Sequence, residues 1–197
     1  MLSVKNNYSE FVIKKSKFIS YLFRVNCVDD ISRYLNELRV KYKDATHICY
    51  AYILDNIKKC SDDGEPSKTA GMPILNVLES NNLNHVICIV IRYFGGVKLG
   101  ANGLVRAYGN CCKEVIFNNI VSIELGNKML LKFNYDKTKI IDNLLKNALI
   151  NDKSYDDTVS YKFTISNNEF DKVHDELVKN ILVLEKLENC YIEKNQR

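Results

Sequence analysis

The chain has 197 residues, 46% of them hydrophobic, with 28 Lys and Arg against 24 Asp and Glu for a formal net charge of +4. That composition is ample for a packed core and excludes a histone-like polycation. No apolar run approaches the roughly 18–20 residues of a membrane span, and the opening MLSVKNNYSEF lacks a signal peptide's apolar core, so a cytoplasmic protein without membrane contact is expected.

In chain order, residues 10–25, EFVIKKSKFISYLFRV, read as two strands around a turn near Lys15-Ser16. Lys14, Lys15 and Lys17 cluster there, either as a solvated turn or as the edge of an anion-binding face. Asp29 or Asp30 is a good N-cap, and Ile31, Tyr34, Leu35, Leu38 and Tyr42 recur at helical spacing, predicting a helix to about Lys43. HICYAYIL (47–54) is apolar on both faces, hence a central strand opened by His47. A polar loop is expected from Asn56 to Ser67. Its acids, Asp62, Asp63 and Glu65, have the oxygens that Mg²⁺ or Ca²⁺ require, but D-D-G-E does not fit an EF-hand loop. Acids in a glycine turn also hydrogen-bond backbone amides, so no metal is expected.

A short apolar helix follows, roughly Pro73 to Leu78, then a buried strand, VICIVIRY (86–93), with Arg92 near its exit. Gly95 to Gly103 is a glycine-rich loop carrying Lys98, and it feeds a helix from Asn102 to about Asn118. Helix-terminal amides and glycines make an anion site by geometry. The loop is no Walker motif, since Ala101-Asn102 stand where Lys-Ser/Thr is required, and G-x-G-x-x-G is absent, so no cofactor is expected. The helix places Leu104, Ala107, Tyr108, Cys111, Cys112, Val115 and Ile116 on its buried face and Arg106 outside. Arg92, Lys98 and Arg106 are expected to converge, with Tyr93 and Phe94 available for base stacking or else lying in the core. Arg92 has a competing expectation, an internal pair with Asp62 or Asp63.

Residues 120–127 read as a link. Beyond it the order is strand (129–135), helix (136–147), strands at 148–155 and 158–165, helix (168–180) and strand (181–192), the βαββαβ order of a ferredoxin-like unit. Two domains are expected, 1–122 and 127–197. The first 122 residues hold 16 basic and 11 acidic residues, net +5, and the remainder 12 and 13, net −1, which points to an anionic partner for the first half. Seven cysteines, an odd number with no C-x-x-C spacing, read as small buried hydrophobes in a reducing compartment.

The segment 61–109 holds seven of the eight glycines and both prolines. SDDGEP-x-x-TAG-x-P followed by VIRYFGGVKLGANGLVRAYG, with KKSKFI (14–19) and DATHICYAYIL (44–54), resembles the signature of the YigZ/IMPACT family, in order and across the whole chain. Ser67-Lys68 departs from the small residues of that pattern and adds a positive charge beside the acids. The resemblance implies an α+β fold: an N-terminal domain like domain 2 of ribosomal protein S5 and a ferredoxin-like domain similar to the last domain of the ribosomal translocase elongation factor. It further implies regulation of translation, because eukaryotic members act through the translational stress-response activator, a possible protein partner.

The first functional expectation is a non-enzymatic RNA- or ribosome-associated protein. Its surface would comprise Arg92, Tyr93, Gly95, Gly96, Lys98, Gly100, Asn102 and Arg106, helped by Lys14, Lys15, Lys17 and Lys68. The alternatives are a hydrolase or transferase for a small phosphorylated or peptide substrate, using Asp62, Asp63, Glu65 and His47, and a protein-interaction module on the same face. Nothing in the sequence sets the oligomeric state.

Overall fold

The computed structural model describes residues 1–194, and the chain falls into two units that meet between Ser122 and Ile123. In the first, β1 (Leu2–Val4), β2 (Asn7–Ile13) and β3 (Ser16–Arg24) precede α1 (Val28–Lys41). Next come β4 (His47–Leu54), β5 (Ile57–Ser61), α2 (Gly71–Ser80), β6 (Val86–Tyr93) and α3 (Ala101–Ile116). Strand β7 (Ile120–Phe133) leads into α4 (Thr138–Leu144), β8 (Leu149–Tyr155), β9 (Val159–Ser166), α5 (Asn167–Val178) and β10 (Val183–Glu193).

The first unit is built on an antiparallel sheet in the order β2-β3-β6-β4-β5. Side chains alternate across a strand, so a strand apolar at every position must be covered on both sides. In β6, Val86, Cys88 and Val90 face α2 and α3, whereas Ile87, Ile89 and Ile91 face α1. Strand β4 divides likewise, with Cys49, Ala51 and Ile53 on one side and Ile48, Tyr52 and Leu54 on the other. The apolar faces predicted for both strands are thus each occupied by helices. The seven buried residues of α3 are those its periodicity predicts.

Three boundaries differ from expectation, each for a local reason. Ile57–Ser61 is strand β5 rather than loop; it is an edge strand whose lysines stay in water, so it carries little apolar signal. Helix α1 starts at Val28 with Cys27 as N-cap, because the Asp30 carboxylate reaches back to the Asn26 amide (2.9 Å) instead of capping from its own position. The expected link at 120–127 is the first half of β7, whose residues 120–122 pair with β1. In addition, residues 135–137 form a 3₁₀ turn, which leaves α4 only 138–144.

In the second unit the strands lie in the order β10-β7-β9-β8, which for a βαββαβ chain is 4-1-3-2 with every neighbour antiparallel. That is the ferredoxin-like arrangement predicted from element order. Its core is Met129, Leu131 and Phe133 of β7, Val159, Tyr161, Phe163 and Ile165 of β9, and Ile141, Leu145 and Leu177 from the helical side. The α+β, two-unit expectation holds.

Candidate functional site

Strand register brings the motif-bearing segments to one end of the five-stranded sheet. Phe18 and His47 are both opposite Arg92, so the starts of β3 and β4 lie beside the exit of β6. The β2–β3 turn, the acidic loop after β5 and the glycine loop after β6 therefore share that end. Lys14 and Lys15 occupy the two-residue turn, both with positive φ (45° and 67°). That is the geometry usually given to Asn-Gly.

Each acid in the loop is bonded inward. Asp62 accepts from the amides of Ala70 (2.9 Å) and Gly71 (2.8 Å) on one oxygen and of Lys68 (2.8 Å) on the other. It thereby caps α2, which has no capping side chain of its own. Partial burial raises the Asp62 pKa, but the three amides outweigh it and hold the carboxyl below the ordinary aspartate value. Asp63 accepts from the Ile48 amide (2.6 Å) at the start of β4. Gly71 is required because a Cβ there would lie 2.8 Å from the Ser61 backbone nitrogen.

Asp62→Ala should cost about 2–3 kcal/mol at neutral pH, since amides lose their acceptor. The carboxylate's contribution is complete above the ordinary aspartate value of 3.8 and is lost as pH falls through its lower folded-state pKa. Denaturant melts of both proteins at neutral and strongly acid pH check this: the gap must shrink in acid, and a gap independent of pH contradicts the capping role.

Glu65 is buried, and its Oε1 accepts from Arg92 Nη1 (2.5 Å) and the Tyr108 hydroxyl (2.8 Å). Arg92 is only 4% exposed. It donates from Nη2 to Ser16 Oγ (3.3 Å) and lies 5.5 Å from the ring centroids of Phe18 and Phe94, while its buried Nε has no partner. The internal-pair expectation for Arg92 was right in kind, but the partner is Glu65 rather than Asp62 or Asp63. Arg92 is therefore not part of an exposed cationic face, because its position on β6 aims it into the layer beneath α3. Ser16 and Tyr108 join the cluster without having been singled out from sequence. The one available signal was Tyr108 itself, a tyrosine on a buried helix face whose hydroxyl needs a partner.

His47 places Nδ1 2.8 Å from the Asp63 carbonyl oxygen and Nε2 3.9 Å from Glu65 Oε2. Cys49 lies behind it, 3.0 Å from the Asp62 carbonyl and 3.4 Å from the Tyr108 hydroxyl. Burial pushes the Cys49 thiol pKa up to about 12, so it offers no thiolate nucleophile at neutral pH. Among the described residues no group of three or more His, Cys, Asp and Glu is placed to hold a metal ion.

The glycine loop is pinned at its root. Gly95 donates to Ser16 Oγ (3.3 Å), Phe94 donates to Thr46 Oγ1 (3.0 Å), and the half-buried Tyr93 donates its hydroxyl to Asp44 (2.9 Å). Tyr93 is thus partly occupied, whereas Phe94 is 46% exposed. Gly96 and Gly100 have positive φ and open space around them. Gly100 precedes α3 without a side-chain cap, and Asn102 is exposed in its first turn. Lys14, Lys15, Lys17, Lys68, Lys98 and Arg106 are all exposed. Lys17 forms a solvent-exposed pair with Glu10 (2.8 Å).

Residues 14–116, more than half of the chain, match the Impact N-terminal domain. The chain belongs to the IMPACT family. The IMPACT family member YvyE of Bacillus subtilis is 35% identical over 195 residues, covering 94% of this chain and 89% of YvyE. The family member YigZ of Escherichia coli is 39% identical over 109 residues, 53% of each protein. A crystal structure of a hypothetical protein superposes with a TM-score of 0.60 at 26% identity, covering 95% of this chain and 97% of that one. The Impact N-terminal match takes in the β2–β3 turn, the acidic loop, the glycine loop and the whole of α3, so the clustered loops are built from the segment that defines the family.

Proposed function

We propose that this chain is a non-enzymatic, RNA- or ribosome-associated cytoplasmic protein that acts in the regulation of translation. The observation that carries the reading is a separation of charge at the loop-bearing end of the sheet. Asp62, Asp63 and Glu65 spend carboxylate oxygens on internal donors, while Lys14, Lys15, Lys17, Lys68, Lys98 and Arg106 remain in water. Between them lies a glycine loop opening an uncapped sixteen-residue helix, whose free amides suit phosphate. Membership of the IMPACT family supports translation as the setting, as the resemblance implies. The hydrolase or transferase alternative loses support because its acids act as turn and helix braces and the nearby thiol is held protonated.

If these cations contact phosphate, affinity for a mixed-sequence single-stranded RNA falls steeply with salt. Three to five contacts give a log–log slope of about −2 to −4, at roughly 0.7 per phosphate. Lys98→Glu with Arg106→Glu weakens every sequence alike, because phosphate contacts carry no base information. Both residues are exposed, so the melting temperature stays put. A salt-independent affinity, or unchanged binding by the folded double variant, moves the partner to another surface.

A further inference from the structure

Phe94 is an aromatic ring on a fixed mount, turned outward. Its amide donates to Thr46 Oγ1 (3.0 Å), and the next amide, that of Gly95, donates to Ser16 Oγ (3.3 Å). The Arg92 guanidinium lies over the ring, 5.5 Å from its centroid, and Arg92 is itself only 4% exposed. That side of the ring is closed to water, so the 46% exposure of Phe94 belongs to its opposite face and its edge. A single exposed aromatic is ordinary on a protein surface. What sets Phe94 apart is the stretch of chain that follows it.

Among the described residues no acceptor is placed for the amides of Gly96 through Gly103, the last three of which form the open first turn of α3. Lys98 and Arg106 are exposed in the same stretch, and no Asp or Glu occurs between Glu79 and Glu114. The Asp62 and Asp63 carboxylates are on another loop, bonded to the amides of α2 and β4. The Lys14-Lys15 turn touches the root of the glycine loop, since a Cβ on Gly95 would meet the Lys15 carbonyl oxygen at 1.9 Å. Gly96 is two residues from Phe94, at most about 7 Å along the chain. A ligand that covers the ring therefore also meets hydrogen-bond donors and positive charge. An apolar protein segment would cover the ring and shield those amides from water without supplying acceptors. A cationic side chain on the ring would face Lys98 and the positive end of α3. An unpaired base with its own phosphate meets both needs, a flat π-face for Phe94 and anionic oxygens for the amides. We infer that Phe94 is the stacking platform for an unpaired base, so that this end of the sheet takes single-stranded RNA, not a double helix whose bases are already stacked. The inference rests on the nucleic-acid reading above and adds the base to it.

The test uses the full chain and two fluorescent strands of equal length and charge, a single-stranded RNA and a ribose-phosphate strand without bases. At one salt concentration the unaltered protein should bind the RNA about five- to tenfold more tightly, the effect of one stacked base, with the same salt slope for both. Phe94→Ala should erase that preference and leave the base-free strand's affinity and slope unchanged, whereas Phe94→Tyr should keep it. Affinity for a duplex of the same sequence should be equal for Phe94→Ala and the unaltered protein. The chain has no tryptophan, so Phe94→Trp supplies a single reporter whose emission the RNA should quench and the base-free strand should not. Equal affinity for both strands by the unaltered protein overturns the inference and spares the phosphate reading, and it needs no variant to fold. A preference kept by a folded Phe94→Ala variant also overturns it, as does a duplex affinity that falls with that variant. Binding of neither strand defeats the nucleic-acid reading itself.

Discussion

Arg92→Ala is expected to destabilise the protein by about 3–5 kcal/mol, the cost of stranding one member of a buried ion pair. The variant leaves the Glu65 carboxylate with Tyr108 as its remaining close donor and removes the guanidinium from Ser16 Oγ and from the face of Phe18. Denaturant unfolding should show a lower midpoint, and the loss should hardly change with added salt, because screening is weak at a site so far from water. Adding Glu65→Gln to Arg92→Ala should recover part of the loss, since no unpaired charge then remains buried. A cost below about 1 kcal/mol for the single variant would mean that the pair does not brace these loops. Any fall in RNA affinity must accordingly be read at a denaturant-free temperature well below the variant's melting point.

Gly95→Ala should be comparably severe, at about 3 kcal/mol or more, at the upper end for forcing atoms into a packed site. A Cβ at this position would sit 1.9 Å from the Lys15 carbonyl oxygen and 2.5 Å from the Ser16 amide nitrogen. Both are backbone atoms of the β2–β3 turn, so no side chain can swing aside, and the turn or the loop must move. Gly109→Ala is the control: it lies within α3 with nothing within 4 Å of the added carbon. It should stabilise by about 0.5–1 kcal/mol through helix propensity. Thermal melts of the two variants should move in opposite directions. A Gly95→Ala protein as stable as its parent would show that the turn and the loop are not in contact in solution.

What could be read from sequence follows how local the signal is. Strands β4 and β6 are eight-residue runs apolar on both faces, and α3 has an unbroken 3.6-residue pattern, so all three declare themselves within their own length. Strand β5 hides because an edge strand needs only one buried face and IKKCS keeps its lysines in water. Strand β1 hides because its three residues owe their conformation to a partner more than a hundred positions away. The site divides the same way. Composition marked the acidic and glycine loops, and charge marked the exposed lysines. Which acid meets Arg92 depends on the β4–β6 register that sets His47 opposite Arg92, and on the Tyr108 hydroxyl one element later. Neither is written in the spacing of the acids themselves.

The pairing of β1 with the start of β7 also sets an order of events during synthesis. Leu2–Val4 pair with residues 120–122, and Lys5 donates to the Asn119 carbonyl (2.8 Å). At about 5–20 residues per second, residues 2–4 wait roughly 6–24 s for their partner strand to be made. Throughout that interval Val4, fully buried in the finished protein, has no strand to lie against on the β7 side. Residues 2–4 can bridge Leu83 and bond Asn84 and His85 as soon as those are made, but their β7 side is closed only after position 120, so a nascent chain arrested before that point carries this edge half-paired.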